Sequence, residues 1–245
     1  MTDTLTDSIP NAQPVAPSTP APATPAAPAR APKPNVMPVL EQLAKLYPHL
    51  FGAVFRPMKR GIFQELLTAH PDTFERETLK EALSVHTRST RYLSAVASGQ
   101  QRHDLQGQAV EAMAPEHIHH ALLEVFRRRQ GRAAEDLTPQ LRERIVQAVD
   151  ASGLTREAYA ELVRGRNEAA NTVLDQALSE VAERSAKDEA LLRAFEASGQ
   201  TTVEAFAEMY GMNLRTVVAA LKRARTPLTS AVVPAAEAPS PSTTH

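Results

Sequence analysis

The chain has 245 residues, with 27 Lys and Arg against 28 Asp and Glu, 19 prolines, 9 glycines and neither Cys nor Trp. A chain without cysteine has no disulfide framework, no thiolate ligand for zinc or an iron–sulfur cluster, and no thiol nucleophile. Asp3 and Asp7 stand in an N-terminus without a long apolar run, which speaks against a signal peptide or a transmembrane helix and for a soluble, cytoplasmic protein.

Residues 1–35 hold nine prolines among Ala, Thr and Ser. Such a stretch cannot sustain a helix or a strand ladder and has little to bury, so a disordered, extended arm is expected. From Pro227 to His245 the same composition returns, and a second disordered tail is expected there. Charge is uneven between the tails. Residues 36–132 hold 13 bases and 10 acids, together with seven of the eight histidines; residues 133–226 hold 12 bases and 15 acids. This pattern points to a polyanion-binding module at 36–131 followed by a helical extension at 132–226.

The module reads as mainly helical. Val39, Leu40, Leu43 and Leu46 have amphipathic spacing, and Pro48 stops that helix. A second helix is predicted from Pro57 to about His70. Asp72–Thr73–Phe74–Glu75 has the form of a capping box opening a third, with Leu79, Ala82 and Leu83 on its apolar face. Thr87 or Ser89 can cap a short helix carrying Tyr92, Leu93 and Val96, closed by Gly99. Apolar–polar alternation on both sides of Gln106–Gly107 predicts one small β-hairpin from Arg102 to Val110. Pro115 then starts a helix that runs into Arg127–Arg128–Arg129.

The extension is all helix. Thr138–Pro139 reads as a cap and first turn, and Gly153 as a stop. The stretch from Asp150 to Leu162 is echoed from Glu196 to Met209, so a duplicated helix pair is expected around a long helix near 167–195.

No catalytic motif stands out: G-x-S-x-G, Walker A and G-x-G-x-x-G are absent, and glycine is scarce. The chain therefore reads as a non-enzyme without a cofactor. His117 and His120 lie three apart on one helix, but no acid at helical spacing completes a metal set, so no metal site is assigned. The segment 59–102 is better matched to nucleic acid. It carries Lys59, Arg60, Lys80, Arg88, Arg91 and Arg102 for phosphates, Tyr92 as an aromatic platform, and Thr87 at a helix start whose free N–H groups favour an anion.

Five blocks from residue 37 to about 131 resemble the ProQ/FinO domain of bacterial RNA chaperones. They are Arg56–Pro57–Met58–Lys59–Arg60–Gly61–Ile62–Phe63, Leu79–Lys80–Glu81–Ala82–Leu83, Thr87–Arg88–Ser89–Thr90–Arg91–Tyr92–Leu93, Arg102–His103–Asp104–Leu105–Gln106–Gly107 and Pro115–Glu116–His117. The resemblance implies a FinO-like fold of helices around a hairpin, and an RNA chaperone for stem-loops with single-stranded 3′ tails: small RNAs, terminators and mRNA 3′ ends. It implies phosphate contacts from Lys59 and Lys80, and a 3′-end pocket made by Tyr92, Arg102 and the Thr87 cap. The chain departs from the family at Ser84, often Arg; at His86, often Tyr; and at Thr90, often Trp. Arg88 can supply the charge lost at Ser84.

A competing reading rests on the second half. Ala207, Gly211 and Val217 have helix-turn-helix spacing, and Arg215, Lys222, Arg223 and Arg225 follow. Segment 202–225 is on that view a DNA-binding element of a transcriptional regulator, whereas a protein-interaction bundle is the alternative role for the extension.

Overall fold

The computed structural model describes residues 35–226 and Leu228, so both proline-rich tails lie almost wholly outside the described residues. Helices α1 (Met37–Leu46), α2 (Pro48–Phe51), α3 (Ile62–Ala69), α4 (Arg76–Thr87) and α5 (Thr90–Ala97) lead to a hairpin of β1 (Arg102–His103) and β2 (Ala109–Glu111). Six more helices follow: α6 (Pro115–Gln130), α7 (Thr138–Ser152), α8 (Arg156–Val163), α9 (Glu168–Ala197), α10 (Val203–Met209) and α11 (Leu214–Arg225). Among the described residues the architecture is mainly α with one two-stranded sheet, as expected from proline and glycine punctuation and apolar periodicity.

Several local expectations are corrected. Pro48 does not merely stop α1; it occupies the first position of α2, where its missing N–H costs nothing. The helix expected from Pro57 begins only at Ile62, behind Gly61 at φ 80°. Residues 57–59 are instead drawn alongside β1: His103 N donates to Pro57 O and Lys59 N to His103 O, both at 2.8 Å. The capping box at 72–75 does not form. Glu75 is the N-cap of α4 and makes no side-chain cap bond; its carboxylate accepts from the Thr78 hydroxyl. Thr138 is the first residue of α7, and Asp136 receives its N–H and hydroxyl.

One hydrophobic cluster runs from Leu43 and Leu50 through Leu79, Leu122, Ile145 and Tyr159 to Val181. It crosses residue 131 without a break, because α6 packs against both α7 and α8. A second, smaller cluster joins Phe206, Ala207, Val217 and Leu221 to Leu191, Leu192 and Phe195 of α9. The sequence echo corresponds to two turns of the same construction. Ser152 and Ser198 each back-bond to a carbonyl three residues earlier, at 2.6 and 2.7 Å. Gly153 and Gly199 follow at φ 66° and 68°, which favours glycine. Thr155 and Thr202 then cap α8 and α10.

Candidate nucleic-acid interface

The residues expected to contact RNA come from three stretches far apart in sequence, and the fold joins them at Met58. Its N–H donates to the Tyr92 hydroxyl at 3.2 Å and its carbonyl accepts from Arg102 Nη1 at 3.1 Å. The segment 57–59, the start of α5 and the start of β1 are thereby tied to one point, with the neighbouring Lys59 side chain 40% exposed. Arg60, Lys80 and Arg88 are exposed, and none of their side chains pairs with a carboxylate among the described residues. Lys80 stands two turns before Thr87 on α4, about 10 Å along the axis.

Two expectations about this region change. Tyr92 is not an open stacking platform: the residue is 7% exposed, packs against His86 and accepts from Met58 N–H. Burial pushes its phenol pKa up, the Met58 bond and Arg102 opposing. Thr87 is not the cap of α5 either. It ends α4, its hydroxyl donating to the Leu83 and Ser84 carbonyls at 2.9 and 3.2 Å, while Ser89 Oγ accepts from Tyr92 N at 3.2 Å.

The turn between α4 and α5 is braced from behind. Arg128 donates to Arg88 O at 2.7 Å and to Thr90 Oγ1 at 3.1 Å, and is itself aligned by Glu124. Hydrogen bonds from Arg127 and Arg128 hold the Glu124 carboxyl down at about 2. Arg91 is also committed, donating to Ala53 O at 2.8 Å with its guanidinium 4.8 Å from the Phe55 ring centroid.

His86 was not singled out as a contact, yet it sits at the centre of the region. Phe51, Phe55 and Tyr92 surround it with ring centroids at 4.8, 4.3 and 5.4 Å. Desolvation pushes its pKa down to about 4, and its buried Nε2 has no hydrogen-bond partner. A buried polar atom without a partner is uncommon in a native fold. The departure of this position from the family pattern was legible in sequence; the surrounding rings, from α2, its following loop and α5, were not.

Two of the cations on this face are paired within the chain. Lys59 Nζ meets Glu65 at 2.5 Å, and Arg102 Nε meets Glu111 at 3.3 Å. The Glu65 hydrogen bond raises the Lys59 pKa, with smaller contributions from Asp104 and Glu111.

Elsewhere, His117 and His120 are exposed, and no group of three metal-ligating side chains converges among the described residues. No helix among them is long and apolar enough to cross a membrane. Clefts of about 300 and 670 Å³ lie between α5, α6 and α7 and beside α9, away from Met58. Helices α10 and α11 do form a helix pair around Gly211, and Asn213 caps α11. However, Arg223 is held by the buried Asp188 at 2.7 Å, and Arg225 lies over Phe195. Arg215 and Lys222, by contrast, are exposed on α11 beside Leu214 and Val218.

Residues 34–138 match the model of the ProQ/FINO family. Among solved structures, the chain is similar to NMB1681 from Neisseria meningitidis MC58, described as a FinO-like RNA chaperone. Identity is 28%, covering 35% of this chain and 88% of that one, with a TM-score of 0.33. It is also similar to a ProQ homolog from Legionella pneumophila at 29% identity, covering 45% of this chain and 97% of that one, with a TM-score of 0.33.

Proposed function

We propose, from the match of residues 34–138 to the ProQ/FINO family model, that the protein is a cytoplasmic RNA-binding regulator. It acts as a chaperone for small RNAs and mRNA 3′ ends, engaging a stem-loop with a single-stranded 3′ tail. The observation that carries this reading is the junction at Met58, where Tyr92 and Arg102 bind the two ends of one peptide unit. Three of the five blocks thereby form one edge. Lys59, Arg60, Lys80 and Arg88 meet phosphates along it; Arg102 and the N–H groups at the start of α5 receive the 3′-terminal phosphate or ribose. Arg91 and Tyr92 hold the frame rather than the RNA. No covalent step or cofactor is involved, and the helical extension offers surface for protein partners.

The test is binding of the full chain to a terminator-type hairpin with a 3′ tail ending in a hydroxyl, compared with a 3′-phosphate, a tail-less hairpin and duplex DNA. The reading expects the 3′-hydroxyl RNA to bind tightest, with affinity falling steeply as salt rises because each neutralised phosphate releases counterions. Equal affinity for all four ligands would refute it. Crosslinking that recovered mainly DNA would do the same and restore segment 202–225 as the reader.

A further inference from the structure

The seat that would take a phosphate is already filled from within the chain. Glu111 stands opposite Arg102 in the hairpin register. Its Oε1 accepts from the Arg60 backbone N–H at 3.3 Å and lies 3.3 Å from Arg102 Nε. A backbone N–H and a guanidinium converging on one anionic oxygen is the donor arrangement that binds phosphate. Arg102 is 13% exposed at its side chain and Glu111 30%, so the pair is shielded from solvent more than an ordinary surface ion pair. The adjacent cation is treated alike, since Glu65 caps Lys59.

We propose that Glu111 is a specificity-determining residue, an internal stand-in for phosphate that an RNA must displace to reach Arg102 and the Arg60 amide. This rests on the RNA-binding reading above. Displacement exchanges one anion for another, so a single phosphate gains little there. An RNA that also engages Lys80, Arg88 and the start of α5 gains enough elsewhere to turn the carboxylate out. The effect is selective: phosphate backbones that make only a few contacts are rejected, and RNAs that span the whole edge are retained. The hairpin is well suited to the task, because β2 needs only to let the Glu111 side chain rotate.

The experiment measures binding of the tailed hairpin and a tail-less duplex RNA to the full chain, as wild type, Glu111→Gln, Arg102→Met and the double variant, across a salt series. Releasing a partly exposed ion pair predicts about two- to fivefold tighter binding for Glu111→Gln. The gain is larger for the tail-less RNA, and the logarithmic salt slope steepens by up to about one. In the Arg102→Met background the gain shrinks, because only the Arg60 amide remains to be freed. Unchanged or weaker binding by a Glu111→Gln protein that melts normally overturns the proposal, and so does an equal gain with Arg102 removed. Should Glu111→Gln melt low, Glu111→Asp keeps the charge and withdraws it from the seat. It too binds tighter if the seat is the cause, and unchanged affinity overturns the proposal. If wild type binds the tailed hairpin no better than duplex DNA, the RNA-binding reading itself falls, and the proposal with it.

Discussion

Tyr92 separates a framework residue from a nucleotide platform, and the two roles predict different outcomes on truncation. The ring is buried against His86 and its hydroxyl is the acceptor for Met58 N–H, which is itself buried. Tyr92→Phe keeps the ring and leaves that N–H unpaired, a loss of about 1 kcal/mol. In a chain of this size that lowers the melting temperature by roughly 2–4 °C. Tyr92→Ala adds a cavity and should destabilise by roughly 3–5 kcal/mol, as for other large aromatic truncations. Thermal melts followed by circular dichroism read both. RNA affinity of Tyr92→Phe, measured well below its melting point, should fall only modestly, through a looser Met58–Lys59 segment. The reasoning fails if Tyr92→Ala melts like wild type while losing RNA binding, for then the ring faces the nucleotide and not the core.

Three further outcomes follow from the same contacts. His86 and His119 are both held neutral by burial, each with a pKa pushed down to about 4. Between pH 6.5 and 4 the unfolded chain binds protons that the fold refuses, so stability is full above 6.5 and falls by roughly 2–3 kcal/mol per histidine toward pH 4.5. Urea midpoints at pH 7 and 4.5 should converge partly in His119→Phe, and an unaltered pH slope would count against burial as the cause. Ser89→Ala should cost about 1 kcal/mol through the lost cap of α5, and Thr87→Val much less, because Thr87 only back-bonds within α4; melts showing the reverse order would reinstate Thr87 as the cap. A fragment ending at residue 131 should be less stable than one ending at 163 by roughly 3 kcal/mol or more, since it strips Leu141, Ile145 and Tyr159 from the core; equal melting temperatures would show that the core divides at 131 after all.

What was legible in the sequence is what local chemistry decides. Proline at 115 and glycines at 99 and 153 punctuate helices because their backbone limits act on the spot, and the hairpin announced itself through alternation around Gln106–Gly107. The misplaced start at Pro57 has a distant cause: residues 57–59 find their backbone partners in His103, more than forty positions on. Thr87 and Ser89 are equivalent as capping chemistry. Their roles were settled by where α4 ends, which depends on the packing of Leu83 and His86. For the site, the types and approximate positions of the cations could be read, but not their engagement. Arg91 is spent on Ala53, Arg102 on Met58 and Glu111, and Lys59 on Glu65. Those partners lie 6 to 44 residues away, and no periodicity carries that information.

The duplicated turns show how one local solution serves two surroundings. Tyr159 in α8 and Phe206 in α10 hold matching places in the echo, and each is almost fully buried. Tyr159 is seated on α6, where its hydroxyl meets His119 at 3.3 Å and gives the extension a polar tie to the first half of the chain. Phe206 has no such helix before it and packs instead between Phe195 and Tyr210. Nothing in the second copy requires a polar tip, which accounts for phenylalanine where the first copy has tyrosine. The long α9 closes the first copy with its N-terminal half and opens the second with its C-terminal half. Asp188, buried in that helix, neutralises Arg223 of α11 across the join. Removing the Asp188 charge would leave a guanidinium without its partner beside the second core, so the last helix depends on α9 for its charge balance as well as for its apolar contacts.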